Sequence, residues 1–88
     1  MKRDEVLDTA KELINGDRAR TYGDHTTLND RVSAGWSAIT GAEITPLHVD
    51  LMMVFLKMIR ITASPGHADS YADAAGYIAL AAELEPDG

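Results

Sequence analysis

The sequence predicts an all-α protein, a four-helix antiparallel bundle completed by oligomerisation. Three observations carry this expectation. Apolar residues recur at helical spacing in four separate segments, each followed by glycine or proline, and no segment alternates apolar and polar residues for long enough to make a strand. The third segment is apolar nearly all round, so it demands burial on several sides. A chain of 88 residues has too few other helices to cover every side, which leaves a second copy to do so. Residues 1–88 read as a single helical domain.

Helix one spans about residues 3–15. Val6, Leu7, Ala10, Leu13 and Ile14 fall on one face, Asp4, Glu5 and Asp8 complement the dipole near its start, and Gly16 stops it. Helix two spans about 27–40, with Leu28, Val32, Trp36 and Ile39 as its apolar stripe and Gly41 as its stop. Gly35 weakens it slightly and is a place where a neighbouring backbone can come close. Helix three spans about 46–63. Thr45 is its cap and Pro46 suits its first position. His48, in its first turn, is expected to face solvent or a partner helix. Met52, Met53 and Met58 suit an adaptable interface. "SPG" at Ser64 to Gly66 breaks the chain, and helix four spans about 68–84, where alanines allow close packing.

Composition excludes several function classes. With no cysteine there is neither a disulfide framework nor a thiolate zinc site. A net charge of −6 disfavours duplex nucleic acid, whose phosphates attract clustered Lys and Arg, but leaves room for a small nucleotide held by a few cations. "MKRDEVLD" lacks the apolar core of a secretory signal, and "LMMVFL" is too short to span a bilayer, so no membrane partner is expected. The expected localisation is cytoplasmic.

Two polar groupings are candidate sites. If helices three and four fold back about Pro65, Lys57 comes near Asp73 and Arg60 near Asp69 to Asp73. Asp69, Asp73 and Tyr77 are spaced by four and share one helical face. The result is a cluster of two cations, two carboxylates and a phenol. It reads either as a ladder of ion pairs that fixes register, each exposed pair contributing roughly 0–1 kcal/mol, or as an anion site. Lys57 and Arg60 interrupt the most apolar helix, where an uncompensated charge is costly to desolvate.

The second grouping is "RARTYGDH", Arg18 to His25. Arg18 and Arg20 offer planar donors for phosphate or carboxylate, Tyr22 offers a face for a base or for packing, and Gly23 permits a turn. The stretch is neither a P-loop nor a dinucleotide fingerprint, and an ordered polar turn is the alternative reading. The three histidines show no zinc spacing. Magnesium would need converging carboxylates, for which Asp50, Asp69 and Asp73 are the candidates.

An arginine four residues before "YG", then "GWSAITG", "TPLHVDLMMVFLKMIRI" and "DSYADAAGYIALAAEL", from about Arg18 to Leu84, together resemble a family of small phage and prophage helical proteins of unassigned function. That family is similar to the nucleotide-modification-associated domains, and distantly to the all-helical MazG-like nucleotide pyrophosphohydrolases. The resemblance implies a helical domain that oligomerises, a nucleotide as ligand, and a setting in the bacterial host cell. It places Arg18, Tyr22, Gly23, Lys57, Arg60, Asp69, Asp73 and Tyr77 at the family's recurrent positions. MazG-like enzymes hold magnesium with Glu-x-x-Glu and Glu-x-x-Asp motifs. Here helix three carries Asp50, Lys57 and Arg60 instead, and Asp69 and Asp73 are four apart rather than three. The expectation is therefore a non-catalytic nucleotide-binding protein that forms a homodimer. The alternatives are a magnesium-dependent nucleotide pyrophosphohydrolase and a structural or adaptor protein.

Overall fold

A computed structural model describes residues 1–16 and 25–84. These residues form four α-helices and no strand: α1 (Arg3–Asn15), α2 (His25–Thr40), α3 (Pro46–Ala63) and α4 (Ala68–Glu83). α1 packs on α4, α4 on α3 and α3 on α2, with the α3–α4 contact the most extensive. None of the described helices is long and apolar enough to cross a membrane.

α1 and α4 meet through small residues. Ala10 on α1 and Ala72, Gly76 and Ala81 on α4 are buried. A Cβ placed on Gly76 would come to 3.1 Å from Ile14 Cγ2, so the glycine sets how closely the two helices approach. Gly16 donates its N–H to Glu12 O at 2.7 Å and ends α1.

α2 begins at His25, two residues earlier than its pattern predicts, and the side chain of that first residue is tied to α3. The expected apolar stripe does not face inward. Leu28 and Ile39 are exposed, Ile39 to 83%, while Val32 and Trp36 are half-buried. The buried positions are polar, Asn29 and Ser33. With His25 they form a row at i, i+4 and i+8, of which His25 and Asn29 bond the buried carboxylate that α3 presents. A Cβ placed on Gly35 would meet no atom of another element within 4 Å among the described residues, so the close approach expected there is absent.

The α2–α3 connection is held by a few specific bonds. Gly41 takes φ +73°, a left-handed conformation that glycine adopts without a Cβ penalty, and donates to Ser37 O at 2.9 Å. Ser37 Oγ accepts from Ile44 N at 2.9 Å and donates to Ile44 O at 3.1 Å. Thr45 Oγ1 accepts from His48 N, and His48 Nδ1 accepts from Thr45 N, each at 3.2 Å. This reciprocal pair starts α3 with Pro46 in its first turn. His48 is exposed as expected, but its ring folds back on the chain as a cap.

α3 is inside out. Val49 and Asp50 are buried, and Met53, Val54, Lys57 and Ile61 are half-buried, which makes one inner face at helical spacing. The opposite face carries Leu51, Met52, Phe55, Leu56, Met58 and Ile59, all 43–62% exposed. Among the described residues the buried apolar core is only Ala10, Val49, Ala72 and Ala81, and the one large side chain fully buried is Asp50. The Ser64–His67 turn then leads into α4, pinned by His67 N donating to Ser64 O at 3.0 Å and Tyr71 Oη donating to Pro65 O at 2.9 Å. α4 ends at Glu83, with Leu84 as its cap residue.

Candidate functional site

The inner face of α3 is a polar seam with two centres. At the first, Asp50 is 0% exposed. His25 Nε2 donates to its Oδ1 at 3.0 Å, and Asn29 Nδ2 donates to the same oxygen at 2.9 Å. Asn29 Nδ2 also reaches Pro46 O at 3.4 Å, so the amide spans the start of α3. Both side-chain donors serve Oδ1, and Oδ2 is buried with no hydrogen-bond partner among the described residues. A buried acceptor left open costs about 1–3 kcal/mol. Of the trio, His25 is the member that meets solvent, with 30% of its side chain exposed.

Two helical turns further along α3 lies the second centre. Lys57 Nζ is 3.0 Å from Asp73 Oδ2, and the two side chains are only 14% and 16% exposed. Each residue stands eight positions from Pro65, the register of a helical hairpin. The pair is closed mainly by α3 packing on α4. Such a pair is costly to break singly, because its partner is left charged and desolvated.

The structure brings some expected site residues together and separates others. Lys57 and Asp73 meet. Tyr77 lies one turn beyond Asp73 and is half-buried. Arg60 and Asp69 are both exposed, and no ion pair joins either of them to a described residue. Arg18 and Tyr22 lie outside the described residues, as does Gly23. Asp50, Asp69 and Asp73 do not form a common centre: among the described residues no three His, Asp or Glu side chains are grouped to hold a metal ion. His25 and Asn29 are the members that sequence reasoning missed. Their signal was the row of polar side chains at His25, Asn29 and Ser33, which the apolar stripe of the same helix outweighed.

Asp50 offers an unfilled acceptor to an amino or ring N–H group, and Lys57 sits about 10 Å along the helix axis. Arg60, three residues beyond Lys57, presents a guanidinium to solvent.

The sequence is similar to those of phage proteins. The chain is 38% identical over 81 residues to the Gene 55 protein of Mycobacterium phage L5, covering 91% of this chain and 52% of that protein. It is 31% identical over 72 residues to the Gene 55 protein of Mycobacterium phage D29, covering 82% of this chain and 48% of that protein. The chain thus spans about half the length of these relatives. No solved structure matches it. The phage family implied by the sequence motifs agrees with these relatives, whereas the further likeness to MazG-like enzymes rests on the motifs alone. The model of the family described as "Domain of unknown function (DUF6378)" matches residues 5–85, all but the first two residues of the four helices, and the chain belongs to that family.

Proposed function

We propose that this chain binds a small nucleotide and performs no chemistry on it, serving phage nucleotide metabolism or the sequestration of a nucleotide signal of the host. The observation that carries this reading is the open, buried oxygen of Asp50 on the same face of α3 as Lys57. A base has amino or ring N–H donors that would fill Oδ2 and recover the energy of the orphaned acceptor. The rise of about 10 Å between Asp50 and Lys57 is on the scale that separates a base edge from its phosphate. Lys57 and Arg60 would face the phosphate, with Arg18 and Tyr22, which precede His25 in the sequence, as further ligand contacts. A ligand would reach Asp50 by displacing His25, the part-exposed member of the trio.

Mass spectrometry of small molecules released from the purified protein tests this reading without presuming the ligand. Calorimetry against nucleoside triphosphates and cyclic dinucleotides then ranks candidates. The expected outcome is binding to one of them that weakens at least tenfold, about 1.4 kcal/mol, in Arg60→Gln. No copurifying nucleotide and no heat with any member of the panel would discard it. Magnesium-dependent pyrophosphate release that disappears in Asp73→Asn would instead establish the hydrolase.

A structural or adaptor role is the second reading, favoured by the closed Lys57–Asp73 pair. On that reading Lys57→Met combined with Asp73→Leu keeps every function and leaves the fold at least as stable, as replacement of buried ion pairs sometimes does.

A further inference from the structure

We propose that the outer face of α3 is a two-fold seam on which a second copy of this chain packs its own α3 antiparallel, with the axis beside Phe55. The proposal is independent of the ligand reading, which concerns the opposite face of the helix.

The apolar residues of this face are arranged symmetrically about one position. Phe55 stands next to the midpoint of Pro46–Ala63. Leu51 and Ile59 lie four residues to either side of it, Met52 and Met58 three, and His48 and Thr62 seven. An antiparallel pair related by a two-fold axis at Phe55 therefore sets Leu51 against Ile59 and Met52 against Met58 of the second copy. His48, Met52, Phe55, Ile59 and Thr62 also follow the alternating spacing of four and three residues that defines a coiled-coil seam. A two-fold interface must complement itself, and this apolar face does so about Phe55.

Charge and area agree. Between Leu51 and Ile59 the one charged residue is Lys57, and it points to the other side, to Asp73. Arg60 is not set against its own copy, because the position opposite it in this register is the inward-facing Asp50. Six side chains of roughly 200 Å² each, about half exposed, leave on the order of 600 Å² open, close to the roughly 800 Å² per partner of a stable complex. An open groove of about 470 Å³ lined by Ile44, His48, Leu51, Met52 and Phe55 receives the Phe55-to-Thr62 half of the second α3. The second copy also supplies what the single chain lacks, because no large apolar side chain is fully buried among its described residues.

The full chain has no cysteine, so single cysteines report the geometry directly. Sedimentation equilibrium at micromolar concentration is expected to give twice the chain mass, and Phe55→Glu to give the chain mass. Phe55 is exposed in the single chain, so its replacement acts through the partner. Under mild oxidation Phe55→Cys is expected to form a covalent dimer at least tenfold faster than Ile39→Cys, a control exposed on α2. Met52→Cys mixed with Met58→Cys should give the mixed dimer in excess of either self-dimer. A monomeric wild type, a dimeric Phe55→Glu chain, equal cross-linking at Phe55 and Ile39, or preferred self-dimers of Met52→Cys would each overturn the proposal.

Discussion

Asp50 is the residue on which the inner face turns. Its carboxylate holds His25 and Asn29 to α3 through a single oxygen, so its removal takes that acceptor from both donors and opens a small void. Asp50→Ala is expected to lower unfolding free energy by about 3 kcal/mol, read as a fall in the urea midpoint at unchanged slope. Asn29→Ala should cost less, about 1–2 kcal/mol, since Asp50 keeps its bond to His25. The two substitutions share one bond, so the double variant should be more stable than the sum of the singles predicts by about 1 kcal/mol or more. Strict additivity would mean that the 2.9 Å contact contributes nothing. The sequence made Asp50 a candidate metal ligand, as an acid of helix three near the bundle. What it did not disclose is burial: a carboxylate on an apolar helix reads as exposed until a second helix brings donors to it. His25 and Asn29 were illegible for the same reason, since each is an ordinary polar residue until it is opposite Asp50.

At the scale of elements, boundaries were far more legible than faces. Local chemistry fixes helix ends, and Thr45, Pro46 and Gly41 announced theirs by residue type. Which side of a helix turns inward depends on what it packs against, and periodicity cannot say. α2 turned Asn29 and Ser33 in and Leu28 and Ile39 out, and α3 put Asp50 and Lys57 on its inner face. The glycines separate local from packing effects in a testable way. A Cβ added at Gly35 would meet nothing within 4 Å among the described residues, so Gly35→Ala should stabilise the chain by up to about 1 kcal/mol through helix propensity. Gly76 lies against Ile14, whose branched side chain has little freedom to retreat. Gly76→Val should therefore cost about 1–3 kcal/mol by forcing α1 away from α4. Thermal melts of the two variants, one moving up and the other down, check both at once. A melting temperature for Gly76→Val equal to that of the parent would show that α1 does not depend on this crossing.

For the whole molecule, the distribution of apolar surface bears most directly on how the chain reaches a stable state. Three alanines and one valine make up the buried apolar core of the described residues, while six large side chains of α3 lie open. Transfer of apolar area is worth roughly 25 cal/mol per Å². The outer face of α3 therefore holds more unused stabilisation than any further tightening of the small-residue contacts on α4 would add. If that surface is covered by a second copy, folding and association are one equilibrium and stability becomes a function of concentration. Each tenfold dilution then removes about 1.4 kcal/mol from the dimer, which for a unit of this combined size lowers the melting temperature by roughly 3–5 °C. Melting curves taken across three decades of protein concentration should descend in even steps for the parent chain. In Phe55→Glu the steps should vanish, with unfolding at the parent's most dilute limit or below. A parent melting temperature that does not change with dilution would mean the chain is stable alone, and that its four small core residues with the Asp50 and Lys57 contacts suffice to hold it.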